Sequence, residues 1–347
     1  MTCTRVTPLG LGEVEQAHAV FLPGVCYNDL TMKITGTFLD EITFDIPSAN
    51  WGPAQWAADF DAMRAIGIDT VILIRSGLRD RMTFDSRVLP KYRAMRPAYI
   101  DLVDLFLTQA QRCGMTFYFG TYDSYHYWHS DPELEVRINM ELADEVMARY
   151  GHREAFGGWY ITQEACAFDE RLMVIYEKLA LHLKALKNVP TLISPLMLKE
   201  VTAAAAHPHP EMLAPDALAG VGGFNDLAGY ERNWDAAFQR FSQYIDAVAF
   251  QDGYVAMTEL PEYLEIDRRL ARKHGIECWS NVESFERGMP LNFLPIDWRN
   301  LRYKIEAAAT AGCDKLITFE FSHFMSPNSI WPSAHNLYNR YREWQGV

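Results

Sequence analysis

The sequence predicts an α/β fold: a single (β/α)8 barrel, or TIM barrel, with a long insert after the fifth strand. Short apolar runs alternate with stretches of helical periodicity eight times along the 347 residues, which is typical of a parallel sheet covered by helices. Four predicted helices end at a glycine that a strand follows at once, as in Lys273-His274-Gly275-Ile276, because glycine adopts the left-handed conformation that closes a helix. A doubly wound open sheet is the competing fold, but no glycine-rich phosphate loop follows the first strand.

The predicted elements follow one another in strand-then-helix order. Apolar and β-branched runs predict strands at residues 33–39, 70–75, 116–121, 157–163, 191–195, 247–251, 276–282 and 315–320. Apolar residues at helical spacing predict helices at residues 53–66, 97–113, 132–150, 169–187, 233–244, 260–274, 297–311 and 333–344. An insert at residues 198–232, rich in Ala, Pro, Gly and His, is expected to cover the site as a lid. We expect residues 1–31 to be an N-terminal leader and residues 32–347 to be the barrel catalytic domain.

Composition and charge argue against several classes of function. With 49% hydrophobic and 22% charged residues, the chain resembles an ordinary soluble globular protein. A net charge of -13 argues against nucleic acid and anionic membranes as partners, because both bind basic surfaces. The sequence also lacks a long apolar span and the pattern of a signal peptide. Its six cysteines have no zinc-finger spacing, so we expect reduced thiols in a cytoplasmic protein that needs no cofactor.

Two glutamates at predicted strand ends are the candidate catalytic residues. Active sites of (β/α)8 barrels lie at the carboxyl ends of the strands. Glu164 follows the fourth predicted strand and Glu283 follows the seventh, so their side chains are expected to face each other across the barrel mouth. Two opposed carboxylates in this place are what cleavage of a glycosidic bond needs. We therefore predict that Glu164 and Glu283 are catalytic.

The other strand ends and the loops after them favour a neutral, polyhydroxylated substrate. They are acidic, rich in hydrogen-bonding groups and aromatic rings, and carry one cation. The predicted substrate-binding residues are Asp40, Arg75, Tyr122, Asp123, Tyr125, Trp128, Gln163, Asp252, Tyr254, Trp279, Asn281 and Glu320. For a ring inside a strand, such as Trp279, a place in the core is the competing interpretation.

The two glutamates give the chain a resemblance to clan A glycoside hydrolases, whose acid/base and nucleophile glutamates end strands 4 and 7. The resemblance implies that Glu164 is the acid/base and Glu283 the nucleophile, and that Arg75 and Tyr254 support Glu283. The chain departs from the clan at Gln163, where most members have Asn. Strand 8 also ends in Phe-Glu, where many members have Trp.

Other segments resemble a narrower family. Ile34-Thr35-Gly36-Thr37-Phe38-Leu39, Gly158-Trp159-Tyr160-Ile161 and Gln251-Asp252-Gly253 are similar to a bacterial barrel family catalogued as domain of unknown function 4434. This resemblance covers residues 33–345 and implies the barrel fold.

The residues thus predict a glycosidase that acts on a small oligosaccharide or glycoside. Retention is the expected mechanism, with inversion the alternative, because the separation of the two carboxyl groups decides between them and the sequence does not give it. One alternative is a divalent-metal-dependent sugar isomerase, epimerase or lyase, in which carboxylates and a histidine from several strands gather around an ion. Its candidate ligands are Glu164, Asp252, Glu283, Glu320 and His323. A second alternative is a non-catalytic carbohydrate-binding barrel, although binding alone does not need an opposed carboxylate pair. The oligomeric state stays open.

Overall fold

The computed structural model describes residues 32–44, 46–201, 223–287 and 293–347. Eight parallel strands form a closed barrel, in which neighbours in the chain are neighbours in space and the first strand pairs with the last. In chain order, strands β1 to β8 are Ile34–Leu39, Thr70–Leu73, Thr116–Gly120, Phe156–Tyr160, Thr191–Ile193, Ala247–Gln251, Glu277–Asn281 and Lys315–Thr318. The predicted (β/α)8 barrel is confirmed.

Helices surround this barrel. In the described residues, α1 to α10 are Pro53–Ala65, Leu102–Cys113, Tyr127–Ser130, Pro132–Tyr150, Glu170–Leu186, Leu227–Phe241, Leu260–His274, Trp298–Ala311, Phe321–Phe324 and Pro332–Gln345. The predicted glycine endings hold at Gly114, Gly275 and Gly312, which have φ of 68°, 75° and 77°. In this part of the chain, no helix is long and apolar enough to cross a membrane.

Two predicted helix starts are wrong. The second predicted helix begins at Leu102 rather than at residue 97, because Arg96–Pro97 forms a short strand and Asp101 caps the helix by accepting from the Asp104 amide at 2.9 Å. The helix predicted at residue 233 begins at Leu227, so the end of the predicted insert is helical. Residues 202–222 of that insert and residues 1–31 of the predicted leader lie outside the described residues.

The inside of the barrel is filled with side chains. The interior cluster is formed by Phe38, Ile72, Ile74, Tyr118, Tyr160, Leu192, Ala247, Ala249, Trp279 and Ile317. Gly158 is needed here, because a Cβ at this position would lie 2.2 Å from the ring of Tyr118. A filled barrel leaves its mouth as the place for a ligand.

Short strands extend the barrel at its mouth. Gly77–Leu78, Arg81–Met82, Arg96–Pro97 and Tyr122–Asp123 form a small sheet after β2 and β3, and Phe285–Glu286 pairs with Leu294–Pro295 after β7. These additions hold the segments that carry the candidate site residues.

Candidate active site

One cleft opens at the carboxyl ends of the strands. Both predicted catalytic residues line it. Its polar and charged lining includes Arg75, Glu164, Ser194, Gln251, Asn281, Glu283 and Arg287, and its rings include Phe38, Phe44, Tyr125, Tyr254, Phe285 and Phe319. The structure therefore brings Glu164 and Glu283 into a single site, as the strand-end argument predicts.

Glu164 lies on one side of this cleft with its side chain 25% exposed. Arg75, just after β2, donates from Nη2 to Oε1 of Glu164 at 3.1 Å. Burial raises the pKa of Glu164. The nearby Arg75 opposes this rise, whereas the charges of Asp123 and Glu283 add to it. Glu164 thus keeps its proton to a higher pH than an ordinary glutamate, which suits a group that donates one.

The guanidinium of Arg75 is shared between two carboxylates. Besides Glu164, its Nε lies 3.6 Å from Oδ2 of Asp123. Burial alone would lower the pKa of Arg75, but the Glu164 and Asp123 charges raise it above its ordinary value. The resemblance to clan A implied that Arg75 supports Glu283. The structure places this arginine against Glu164 and Asp123 instead, because β2 lies beside β3 and near β4.

Glu283 lies across the cleft and is almost completely buried, with 1% of its side chain exposed. Both of its carboxylate oxygens are bound by Arg287. Nη2 of Arg287 donates to Oε1 at 2.9 Å, and Nη1 donates to Oε2. Two parallel bonds of this kind are strong and fix the orientation of a carboxylate.

A second ion pair holds the backbone at Glu283. The Glu283 amide donates to Oδ1 of Asp252 at 3.1 Å. The ammonium of Lys304, from α8, donates to the same Asp252 oxygen at 2.7 Å and to the Glu283 carbonyl oxygen at 3.3 Å. Asp252 therefore holds the backbone of the predicted nucleophile and does not line the cleft.

Aromatic rings flank Arg287. Its guanidinium carbon lies 3.9 Å from the ring centre of Tyr254 and 4.6 Å from that of Phe285. The resemblance implies that Tyr254 supports Glu283. In the structure, Tyr254 contacts Arg287, the arginine that pairs with Glu283, and it is 47% exposed.

Two further predicted binding residues line the cleft. The ring of Tyr125 stacks on the guanidinium of Arg79 at 3.9 Å. Asn281 donates from Nδ2 to Oγ of Ser194 at 3.4 Å, and its buried Oδ1 has no hydrogen-bond partner among the described residues. That oxygen is available to a ligand hydroxyl.

Several predicted binding residues lie behind the cleft wall on the Glu164 side. Asp123 accepts from Nε1 of Trp128 at 3.2 Å, so Trp128 supports the partner of Arg75. The hydroxyl of Tyr122 donates to a backbone carbonyl at 2.8 Å. The amide of Gln163 is fully buried and donates to the Tyr122 carbonyl at 2.9 Å and to Glu135 at 2.8 Å. These side chains hold the site together and do not line the cleft.

Three others are also displaced from the predicted role. Asp40 closes the turn after β1 by accepting from two backbone amides. Trp279 lies in the barrel interior and donates to Glu277 at the opposite end of β7, so its core interpretation is the one the structure supports. Glu320 caps α9 and pairs with His323 at 2.6 Å. Burial alone would lower the pKa of His323, but the Glu320 charge raises it to about 9.

Three residues of the site were not predicted. Arg287 follows Glu283 by four residues, and Gln251 ends β6, so position in the sequence offered a hint for both. Glu135, on α4, offered none, since it is one of many charged residues in that helix. It is fully buried and accepts from the Ser124 amide at 3.1 Å. Burial and the charge of Asp123 raise the pKa of Glu135 to about 8.

The residues named for the metal-enzyme alternative do not converge. Asp252 pairs with Lys304, and Glu320 pairs with His323 away from the cleft. In the ranges that the structure describes, no group of three or more His, Cys, Asp or Glu side chains is arranged to hold a metal ion.

Comparisons with known proteins agree with the fold. Residues 34–331 match the family model "Domain of unknown function (DUF4434)". A protein from Bacteroides thetaiotaomicron, proposed to be an alpha-L-fucosidase, is 42% identical with a TM-score of 0.81, over 91% of this chain and 96% of that one. No sequence among curated proteins matches.

More distant solved structures share the barrel alone. The endo-1,4-beta-D-mannanase of Thermotoga petrophila is 10% identical with a TM-score of 0.56, over 90% of this chain and 100% of that one. A beta-galacturonidase from Eisenbergiella tayi is 11% identical with a TM-score of 0.54, over 90% of this chain and 51% of that one.

Proposed function

The chain belongs to the DUF4434 family, and we propose that it is a glycoside hydrolase, retaining in mechanism, that acts on a small oligosaccharide or glycoside. The observation that carries the proposal is the pair of carboxylates, Glu164 after β4 and Glu283 after β7, in one cleft. Both side chains line this cleft, and the charge of Glu283 adds to the raised pKa of Glu164. The 42% identical relative proposed to be an alpha-L-fucosidase adds support.

In this proposal Glu164 is the acid/base. Its raised pKa keeps the proton that it gives to the leaving oxygen as the glycosidic C–O bond breaks. As a carboxylate, it then accepts a proton from the water that attacks the anomeric carbon in the second step. Its partial exposure leaves room for that water.

Glu283 is the nucleophile. One of its oxygens bonds to the anomeric carbon as the leaving group departs, and water later breaks that bond and restores the carboxylate. Arg287 holds the Glu283 carboxylate in place through the two hydrogen bonds described above. Asn281 and the rings of Tyr125 and Tyr254 are the proposed contacts to the sugar.

The test is hydrolysis of a panel of 4-nitrophenyl glycosides, beginning with the α-L-fucoside because of the similar protein from Bacteroides. The expected result is turnover of at least one glycoside, with retained configuration at the anomeric carbon by proton NMR. Glu164→Gln and Glu283→Gln are each expected to lower kcat by about 10³-fold or more. Glu265→Gln, at a side chain that is 76% exposed on α7, is the matched control and should match the parent.

Two outcomes would overturn the proposal. Binding of sugars without turnover of any glycoside in the panel would indicate a carbohydrate-binding barrel. Equal turnover by the parent, Glu164→Gln and Glu283→Gln would remove the two glutamates from the chemistry. Inverted product would overturn retention alone.

A further inference from the structure

The ion pair between Arg287 and Glu283 points to a role for a residue that stands outside the strand ends. We infer that Arg287 is the positioning residue that pairs with the Glu283 carboxylate and orients it in the cleft, and that the missing side chain at Gly253 is what allows it to do so. This inference rests on the proposed function, in which Glu283 must be a carboxylate.

Burial makes the cation necessary. The Glu283 side chain is 1% exposed, and a carboxylate removed from water either finds a cation or takes up a proton. Arg287 supplies two parallel N–H···O bonds to its oxygens. A carboxylate offers about four lone-pair positions, so this fork leaves lone pairs for bonding to an anomeric carbon.

The other cations of the site are directed elsewhere. Arg75 bonds to Glu164 and approaches Asp123. The Lys304 ammonium bonds to Asp252 and reaches only the backbone carbonyl of Glu283. Neither makes an ion pair with the Glu283 carboxylate within 4.0 Å, whereas Arg287 does.

The surroundings of Arg287 hold its guanidinium in place. The rings of Tyr254 and Phe285 lie 3.9 and 4.6 Å from its guanidinium carbon, within the range of cation–π attraction. At Gly253, a Cβ would lie 1.6 Å from Oε2 of Glu283 and 1.8 Å from Nη1 of Arg287. A methyl group there would occupy the place where the two side chains meet.

The consequence for catalysis is a change in pH dependence. Without the fork, the buried Glu283 holds a proton to higher pH, and a protonated carboxyl group is a poor nucleophile. The acid limb of the kcat/KM profile should therefore move to higher pH. Since Arg287 acts through Glu283, kcat should fall far more than KM rises.

The experiment compares Arg287→Lys, Arg287→Ala and Gly253→Ala with the parent, on the best glycoside of the panel, from pH 4 to pH 9. Arg287→Ala is expected to lower kcat about 100-fold or more, to leave KM within threefold and to raise the acid limb by at least one pH unit. Arg287→Lys keeps the charge without the fork and should be intermediate. Millimolar guanidinium chloride should restore part of the activity of Arg287→Ala. Arg299→Ala, at a side chain that is 87% exposed, is the control and should match the parent.

A second measurement works without turnover, so failure of the inference is distinguishable from failure of the proposed function. The midpoint of thermal unfolding is compared at pH 4 and pH 8. Arg287→Ala should lower Tm more at pH 8, where Glu283 would be a buried charge without a partner. In a Glu283→Gln background, the same change should lower Tm less, and equally at both pH values. An unmoved acid limb together with equal Tm losses in both backgrounds would overturn the inference.

Discussion

The two sides of the cleft hold the same kind of side chain in opposite electrostatic settings. On the Glu164 side, one arginine, Arg75, serves the carboxylates of Glu164 and Asp123, with the buried Glu135 close behind. On the Glu283 side, two cations, Arg287 and Lys304, serve two carboxylates, Glu283 and Asp252.

The ratio of carboxyl groups to cations on each side bears on which side of the cleft holds a protonated carboxyl group. Carboxyl groups outnumber cations on the Glu164 side, so at least one of them favours its neutral form. The Glu283 side is balanced, with Arg287 paired to Glu283 and Lys304 paired to Asp252. The two sides thus suit an acid and a nucleophile, as the proposed mechanism needs.

The largest expected effect separates the two glutamates by leaving group. Glu164→Gln should lose about 10³-fold in kcat/KM on a 4-nitrophenyl glycoside but only about tenfold on a 2,4-dinitrophenyl glycoside, whose phenolate leaves without a proton. Glu283→Gln should lose equally on both. Steady-state kinetics of the two variants on both glycosides measures these losses. If the losses of the two variants depended equally on the leaving group, the two glutamates would not have the different roles proposed here.

The next prediction concerns stability and tests whether cations balance carboxylates on the Glu283 side. Lys304 is buried with Asp252, so Lys304→Met should lower the free energy of unfolding by about 3 kcal/mol, the cost of a buried charge left without its partner. Urea unfolding measures the loss. Lys273→Met removes a side chain that is 57% exposed and should change stability by less than about 1 kcal/mol. A loss as small as that of the control would show that Lys304 does not balance Asp252.

The Glu135 carboxyl group tests the excess of carboxyl groups over cations on the Glu164 side of the cleft. Burial raises its pKa to about 8 from an ordinary value of 4.5, so the folded state binds its proton more tightly than the unfolded state does. Its contribution to stability is present in full below pH 4.5 and is lost as the pH rises towards 8. The stability of Glu135→Gln relative to the parent should therefore rise by about 4 kcal/mol between pH 5 and pH 9. A gain that does not depend on pH would contradict this account.

The smallest expected effect is a shift of one pH profile. Asp123→Asn removes the carboxylate that competes with Glu164 for Arg75. The pKa of Glu164 should fall, since Asp123 contributes to raising it. The alkaline limb of kcat/KM should then move down by about one pH unit. An upward shift would mean that Asp123 orients Arg75 more than it competes with Glu164.

The sequence predicted the barrel and the carboxylate pair because both follow from regular rules. Alternating strands and helices determine the fold, and the carboxyl ends of parallel strands meet at one face. Those two rules are enough to predict that Glu164 and Glu283 lie at one site. The arginines that pair with them do not follow from these rules. Arg75 lies just after β2 and crosses to Glu164, and Arg287 directly follows the short strand Phe285–Glu286 and turns back to Glu283.

Depth and direction of side chains could not be predicted in the same way. Trp279 and Asn281 share one face of β7, yet Trp279 lies deep in the barrel and Asn281 lines the cleft. Gln163 directly precedes Glu164, yet the buried amide of Gln163 donates to Glu135, whereas Glu164 lines the cleft. Which strand-end residues reach a ligand depends on how deep each side chain lies in the barrel and on the direction in which it points. A pattern of apolar residues encodes neither.

The most direct test of the central claim is to identify the residue that becomes bonded to the sugar. The parent protein is incubated with the 2,4-dinitrophenyl 2-deoxy-2-fluoro derivative of its best glycoside, digested, and mapped by peptide mass. We expect one sugar adduct on the peptide that contains Glu283, and none in Glu283→Gln. An adduct on Glu164 would contradict the assignment of nucleophile and acid to the two sides of the cleft.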